Sequence, residues 1–207
     1  MPESKLIYIM DPMCSWCFAF ADPLKQLQKQ TGLDTEWIMG GLAEDSDESM
    51  NTEMQSTIAG YWRKISELTG VTFNHDFWTH NTPRRSTYPS CRAVIAAEKM
   101  SKGMSQTMAE AVQQAYFQAA ENPSDIDTLI KCAERIGLNP DLFLKTITAG
   151  EVETTLQQHL HLVQQWGIQG FPALLMTRQQ KAVPLAMGYC STEELLTHYQ
   201  KALTLLQ

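Results

Sequence analysis

Basic clusters and long hydrophobic segments are both missing from this 207-residue sequence. Lys and Arg occur at most in adjacent pairs, such as Arg84-Arg85, and the formal net charge is -7. Nucleic acids and anionic membrane surfaces are bound through dense positive patches, so we expect neither as a partner. The apolar segment Leu6–Met10 has the length of a strand and is far too short to span a membrane.

Features of exported proteins are also scarce. The segment Met1–Lys5 does not have the charged, apolar and cleavage regions of a secretory signal, which predicts a cytoplasmic location. Small secreted proteins held by disulfides carry a dense, even set of cysteines. This chain has only five, which are Cys14, Cys17, Cys91, Cys132 and Cys190. In a reducing compartment, a closely spaced pair is catalytic or metal-binding more often than structural.

The start of the chain predicts a strand, a helix and a second strand, with the cysteine pair at the first turn. Leu6–Met10 is rich in strand-forming residues, and apolar residues then recur at helical spacing from Cys17 to Leu27. Pro23 lies inside this helical pattern and predicts a kink, because it has no N–H to donate to Ala19. Thr35–Met39 is the second predicted strand.

The middle of the chain, residues 44–166, has the pattern of successive helices. Two helix starts are predicted by N-cap residues, Ser124 with Asp127 three positions later, and Asn139 before Pro140. One helix is predicted to bury an apolar face made of Ile58, Tyr61, Trp62, Ile65 and Leu68. Cys91, Cys132 and Cys190 are isolated in the sequence and are interpreted as ordinary buried thiols.

The end of the chain returns to strands. Two strands are predicted at Ala173–Thr177 and Val183–Met187, joined by a polar turn at Arg178–Lys181, with Pro184 indicating an edge strand or a bulge. A capping box, Ser191 with Glu194, opens the last helix. We therefore expect an α/β fold in which residues 1–43 and 167–207 form one discontinuous domain and residues 44–166 form a helical insertion.

The cysteine pair has the minimum equipment for thiol–disulfide exchange. Cys14 stands at a strand-to-helix junction, where unpaired backbone N–H groups and the helix dipole favour a thiolate over a thiol. Cys17 lies one helical turn further on, close enough to form a disulfide with Cys14. Zinc binding is the weaker interpretation, because a structural zinc site needs four ligands and no second pair is present. We assign no metal site.

Four segments of the sequence resemble a known family. They are Asp11–Phe18 (Asp-Pro-Met-Cys-Ser-Trp-Cys-Phe), Tyr88–Ala93, Asn122–Leu138 and Gly167–Pro172 (Gly-Ile-Gln-Gly-Phe-Pro). Together they resemble the DsbA family of disulfide oxidoreductases, and most closely a cytoplasmic DsbA-like branch of protein-disulfide isomerases near the FrnE-type proteins. The resemblance implies a thioredoxin fold with a large helical insertion, and the activity of a thiol–disulfide oxidoreductase.

The resemblance also implies roles at the site. Cys14 would be the nucleophile and Cys17 the resolving thiol. Pro172 would follow a cis peptide bond and pack against the pair, with the backbone of Phe171 facing an incoming peptide. Phe171 is larger than the residue that this family more often has there, so we expect it to reshape the substrate groove. Trp16 is interpreted as a substrate contact or as a half-exposed packing residue.

Three questions stay open from the sequence. Asp11 is either a proton acceptor for Cys17 or a turn residue at the end of the strand. The proposed function has two rivals. One is a glutathione-dependent isomerase or transferase of the 2-hydroxychromene-2-carboxylate isomerase or kappa-class type, whose members have a serine in place of Cys14. The other is a passive, chaperone-like binding protein. We expect no cofactor, glutathione as a redox partner, and thiol- or disulfide-containing proteins or small molecules as substrates. No signal indicates the oligomeric state or the direction of the reaction.

Overall fold

The ends of the chain form one four-stranded sheet with the strand order β2-β1-β3-β4. The strands are β1 (Ser4–Met10), β2 (Thr35–Met39), β3 (Ala173–Arg178) and β4 (Lys181–Met187). β1 pairs with β2 in parallel, whereas β1–β3 and β3–β4 are antiparallel. The parallel pair requires a crossover connection, which the first two helices provide. This sheet contains strands from both ends of the chain, and the division into a discontinuous domain and a helical insertion at residues 44 and 166 stays a prediction.

The structure, a computed structural model, describes residues 4–179 and 181–206. Five residues that the predictions include lie outside the described ones. They are the first three residues of the N-terminal segment, Gln180 in the predicted turn, and Gln207 at the end of the predicted domain. The described helices are α1 (Ser15–Ala19), α2 (Ala21–Thr31), α3 (Thr52–Thr69), α4 (Phe77–His80), α5 (Tyr88–Met100), α6 (Met104–Phe117), α7 (Ile126–Arg135), α8 (Pro140–Ile147), α9 (Gly150–Gln165) and α10 (Thr192–Leu205). Helices α3 to α9 lie between β2 and β3, as the helical pattern of the middle segment predicts.

The predicted kink after the cysteine pair is present. α1 ends at Ala19 and α2 begins at Ala21, with Phe20 between them. Pro23 has no N–H, so the carbonyl of Ala19 loses its usual helical donor, while Leu24 N still donates to Phe20 O at 3.1 Å. The cysteine pair therefore lies at its own short helix, α1, rather than at the start of one long helix.

The predicted helix starts are confirmed where the capping side chain bonds to a backbone N–H in the first turn of its own helix. The Asn139 side chain accepts from Leu142 N at the start of α8, and Ser191 with Glu194 forms the predicted capping box of α10. The predicted cap at Ser124 is wrong, because the N-cap of α7 is Asp125. The Ser124 hydroxyl instead donates to the carbonyl of Ser86, which lies 38 positions earlier in the chain.

Two further predictions concern the regularity of β4 and the burial of α3. Pro184 lies in β4, an edge strand, beside a register shift at Leu174/Leu175, so the predicted irregularity is confirmed. The predicted apolar face of α3 is wrong in part, since Tyr61 is 53% exposed and Leu68 is 64% exposed. α3 buries only a narrow stripe, which consists of Ala59, Trp62 and Ile65.

An aromatic cluster connects α1 to the helical segment. Phe18, directly after Cys17, stacks on Phe117 of α6 with ring centroids 4.8 Å apart, and meets Phe73 edge-on at 5.5 Å. Trp62 of α3 contacts the same two rings. Each such aromatic pair contributes roughly 0.5–1.5 kcal/mol beyond the burial of its area. The helical segment thus fixes the position of the short helix that carries the cysteine pair.

Within the described part of the chain, no helix combines the length and the apolar character that crossing a membrane requires.

Candidate active site

Cys14 lies where β1 passes into α1. It is the N-cap residue of α1, with an extended backbone (φ -80°, ψ 117°), and its N–H donates to the carbonyl of Asp11 at 3.0 Å. The first N–H groups of a helix have no acceptor within the helix and carry its positive end. The Cys14 sulfur is therefore held at the end of a helix that favours negative charge, and the residue retains 7% exposure.

The loop before β3 meets Cys14 from the other side of the site. The Cys14 sulfur donates to the carbonyl of Phe171 at 3.7 Å, although 157 positions separate the two residues. The Phe171-Pro172 bond is cis, as predicted. The carbonyl of buried Pro172 accepts from Gly188 N at 2.7 Å, which ties this loop to the end of β4. The structure thus brings Cys14, Phe171 and Pro172 together.

The ring of Phe171 is partly committed to packing. It lies against Gly40, just after β2, so closely that a Cβ on Gly40 would be 2.1 Å from Cζ of the ring. Glycine is required there because any side chain would occupy the space of the ring. That Phe171 reshapes a substrate groove stays a prediction, and the observed packing fixes where its backbone carbonyl points.

We expect Gly40→Ala to displace Phe171 and to cost about 1–3 kcal/mol of unfolding free energy, as overpacked sites do. The displaced carbonyl would also leave Cys14, so thiol–disulfide exchange should slow. Gly60→Ala is the matched control. Gly60 is inside α3, with its nearest contact at 3.9 Å, and the change should stabilise the helix by about 0.5–1 kcal/mol. Denaturant unfolding and exchange rates of both variants check this, and a Gly40→Ala protein that matches wild type in both would contradict it.

Trp16 forms part of the rim around Cys14. Its ring packs on Tyr189, in the loop after β4, with centroids 5.7 Å apart, and Trp16 remains partly exposed. Met187, at the end of β4, is 58% exposed and pairs with Ala173, the residue after Pro172. The packing role is thus observed, and a contact from the exposed part of Trp16 to substrate stays a prediction.

Cys17 lies in the first turn of α1 and is fully buried. Burial, and then the hydrogen bond and charge of the neighbouring Cys14 sulfur, raise the pKa of Cys17 well above its usual value. The backbone N–H of Asp11 acts in the opposite direction. The two thiols are therefore unequal, with an outer sulfur at the helix terminus and an inner one that holds its proton.

Asp11 is fully buried and joins three segments of the chain. Its Oδ1 accepts from Met13 N at 2.8 Å, and its Oδ2 accepts from Leu42 N at 2.7 Å and from the Thr87 hydroxyl at 2.6 Å. The Cys91 sulfur donates to the same Oδ2 at 3.6 Å. Burial raises the pKa of Asp11, while these donors lower it. The structural role proposed for Asp11 is therefore present, and its role as a proton acceptor for Cys17 stays a prediction.

Thr87 and Cys91 were not expected at the site from the sequence. Cys91 is buried, as predicted, but it is not isolated, because its thiol faces Asp11. Both residues belong to the start of α5, whose Tyr88–Ala93 segment is one of the four that carry the family resemblance. Cys132, in α7, is buried as predicted, and its sulfur donates to the carbonyl of Ala111 in α6 at 3.6 Å. The prediction of a buried thiol is wrong for Cys190, which lies in the loop before α10 and is only half-buried.

We expect Asp11→Asn to lower the unfolding free energy by about 2–3 kcal/mol, because one amide group would face buried donors that now meet a carboxylate oxygen. Asp34→Asn, at an exposed position, should leave stability within about 0.5 kcal/mol of wild type. Denaturant midpoints of the two variants make the comparison. Equal midpoints would mean that Asp11 does not hold these segments together.

Among residues 4–179 and 181–206, no three His, Cys, Asp or Glu side chains are grouped so that they could hold a metal ion. The site instead offers the sulfur of Cys14, a residue that is 7% exposed, the sulfur of the fully buried Cys17, and a facing backbone carbonyl. This arrangement is suited to the formation and breakage of sulfur–sulfur bonds.

Comparisons with known proteins agree with this chemistry. The model of a thioredoxin family matches residues 7–187. A solved structure from Nitrosomonas europaea, provisionally assigned as a protein disulfide isomerase, has a TM-score of 0.89 and 25% identity over 99% of this chain and 100% of that one. The cytosolic disulfide reductase DsbM from Pseudomonas aeruginosa has a TM-score of 0.80 and 21% identity, over 97% of this chain and 99% of that one. DsbM is also known in a structure with GSH.

One curated relative is the ClpXP adapter protein SpxH of Halalkalibacterium halodurans. It is 29% identical over 136 residues, which cover 63% of this chain. The chain spans 44% of the length of that relative.

Proposed function

Because the chain belongs to the thioredoxin family and has the fold of its DsbA-like oxidoreductases, we propose that it catalyses thiol–disulfide exchange through Cys14 and Cys17. The observation that carries the proposal is the inequality of the two sulfurs. Cys14 lies at the N-terminus of α1 and faces the Phe171 carbonyl, whereas Cys17 is buried behind it in the same turn of helix. A nucleophile with a resolving thiol needs this division of exposure.

The exchange proceeds in two displacements. The Cys14 thiolate attacks one sulfur of a substrate disulfide, forms a mixed disulfide and releases the other substrate sulfur as a thiolate, which takes up a proton. Cys17 then loses its proton, and its thiolate attacks the Cys14 sulfur. The Cys14–Cys17 bond forms while the second substrate thiolate leaves. Two electrons have passed from the protein to the substrate.

Glutathione is the proposed partner that returns the protein to its dithiol form. Two glutathione thiols would be oxidised to glutathione disulfide as the Cys14–Cys17 bond is reduced, so the cycle balances without a bound cofactor. The DsbM structure with GSH supports this choice. We propose a cytoplasmic location and disulfide-containing proteins or small molecules as substrates. The adapter role named for SpxH does not enter the proposal, because this chain spans less than half of that protein.

Reduction of insulin disulfides by glutathione tests the proposal. The wild-type protein should accelerate the reaction in catalytic amounts, and the acceleration should saturate with insulin. Cys190→Ser should behave like wild type, since Cys190 is not part of the proposed pair. The same rate with and without the protein would contradict the proposal and favour a passive binding role.

The release step should also become faster as the pH rises. The pKa of Cys17 is raised well above its usual value, so only a small fraction of Cys17 is thiolate near neutral pH. Well below a pKa, the thiolate fraction grows about tenfold per pH unit, and we expect the rate of release to follow it between about pH 6 and about pH 8. Rapid acid quenching of single turnovers, followed by mass spectrometry, measures this rate. A rate independent of pH would mean that Cys17 ionisation does not limit release.

A further inference from the structure

Tyr8 is a buried tyrosine of β1 beneath the cysteine pair. It is 1% exposed, and its ring meets Trp37 of β2 edge-on, with centroids 5.0 Å apart. The ring also contacts Phe20, between α1 and α2, at 5.9 Å. The position of the phenol is thus set by aromatic neighbours on two sides, and the sulfurs of Cys17 and Cys14 lie near it.

The Tyr8 hydroxyl has no hydrogen-bond partner of acceptable geometry in the described ranges 4–179 and 181–206. Such buried unpaired hydroxyls are rare in native proteins, because each carries a desolvation cost. Burial, followed by the nearby Cys17 and Cys14 sulfurs, raises the pKa of Tyr8 well above its usual value. The phenol therefore keeps its proton at neutral pH and has it available for donation.

Tyr8 and Cys17 both line a small cavity of about 10 Å³. Its other polar lining residues are Gln106, Glu110 and Gln113 of α6, and apolar residues of β1, α2 and β2 complete it. A cavity of this size holds about one water molecule. Glu110 reaches the surface, where its carboxylate accepts from Lys25 Nζ at 2.8 Å.

We propose that Tyr8 is a catalytic residue of the exchange reaction, whose hydroxyl donates a hydrogen bond to the Cys17 sulfur when that sulfur becomes a thiolate and attacks the mixed disulfide. This inference rests on the function proposed above. Tyr8 keeps its own proton throughout. The proton that leaves Cys17 is taken up by the solvent, and no electrons move in this step.

In the dithiol form the hydroxyl has no partner of acceptable geometry among the described residues, which supports this role. A neutral thiol is a weak acceptor, whereas a thiolate is a strong one. The hydrogen bond therefore strengthens as charge develops on Cys17, and an interaction that strengthens at that stage accelerates the step. In the mixed disulfide the Cys14 sulfur is bonded to the substrate and carries no charge, so the charge that opposes the ionisation of Cys17 at this stage is that of Asp11. The hydrogen bond from Tyr8 favours the Cys17 thiolate and so offsets this effect.

Tyr8→Phe tests the proposal, because it removes the hydroxyl and keeps the ring. Reduced protein is mixed with glutathione disulfide, and the decay of the Cys14–glutathione adduct is followed by acid quenching and mass spectrometry across a pH series. We expect Tyr8→Phe to slow this decay at least about tenfold and to move its pH profile upward by about one unit, since a hydrogen bond to a charged group is worth at least this much. Alkylation of Cys14 should keep its rate, and thermal stability should not fall.

Tyr116→Phe is the matched control. Tyr116 is also buried, but in the aromatic cluster of α6, and its loss of a hydroxyl should change neither rate. If wild type and Tyr8→Phe release glutathione equally fast, the role of Tyr8 is wrong and the proposed function stands. If the wild-type adduct does not decay, the proposed function itself fails. A slower decay accompanied by slower Cys14 alkylation would indicate general damage and overturn the assignment.

Discussion

Cys17→Ala should accumulate covalent adducts on Cys14. In this variant Cys14 can still attack a disulfide, because its position at the start of α1 and its contact with the Phe171 carbonyl do not depend on Cys17. Release is different, since it needs a second thiolate held within the same turn of helix. Free glutathione replaces that thiolate only at a much lower effective concentration. Non-reducing gels and intact mass of protein purified from cells should therefore show client proteins or glutathione bound to Cys14.

Three controls accompany the trapping experiment. Cys14→Ala, and the double variant that lacks both cysteines, should carry no such adducts, and wild type should carry few because Cys17 releases them. A glutathione-dependent isomerase would not depend on Cys17, and a passive binding protein would form no adduct specific to Cys14. Equal adduct levels in all variants would contradict the proposed exchange mechanism.

Cys14→Ser should abolish catalysis of insulin reduction, with a loss of at least about a thousandfold, as expected when a nucleophile is removed. A serine hydroxyl does not ionise near neutral pH and cannot form a sulfur–sulfur bond. Cys190→Ser, the matched replacement at a half-buried cysteine outside the pair, should keep the wild-type rate.

The same variant separates the proposed function from its rival. In the isomerase and transferase families that the sequence left as an alternative, a serine stands in place of Cys14. Cys14→Ser would then retain glutathione-dependent isomerase or transferase activity if this chain shared their chemistry. We expect no such activity from either wild type or variant, and insulin reduction by Cys14→Ser at the wild-type rate would contradict the nucleophile assignment.

Much of the fold follows from signals that act over a few residues. The capping box at Ser191, the cap at Asn139 and the break before Pro23 involve partners within four positions, so the sequence predicts them directly. Ser124 has the same type of signal but bonds to Ser86 instead. A hydroxyl with a distant acceptor looks the same in sequence as one that caps its own helix.

At the candidate site, too, local features could be predicted from the sequence and long-range contacts could not. The cysteine pair and its position before α1 are local features, whereas the approach of Phe171 to Cys14 was expected only from the family resemblance. The contacts of Thr87 and Cys91 with Asp11 join residues 76 and 80 positions apart. In the sequence, nothing distinguishes Tyr8 from the other residues of the apolar segment that predicts β1. Only the packing around it reveals a hydroxyl that lies near Cys17 and has no hydrogen-bond partner in the part of the chain that the structure describes.

Redox titration of the wild-type protein against glutathione identifies which cysteines form the redox-active pair. At each ratio of glutathione to its disulfide, the protein is quenched in acid, its free thiols are alkylated, and peptide mapping identifies the bonded cysteines. We predict a single two-electron transition in which one disulfide forms, between Cys14 and Cys17, while Cys91, Cys132 and Cys190 remain thiols. A disulfide that includes one of those three, or a stable glutathione adduct on Cys14 in place of the internal bond, would contradict it.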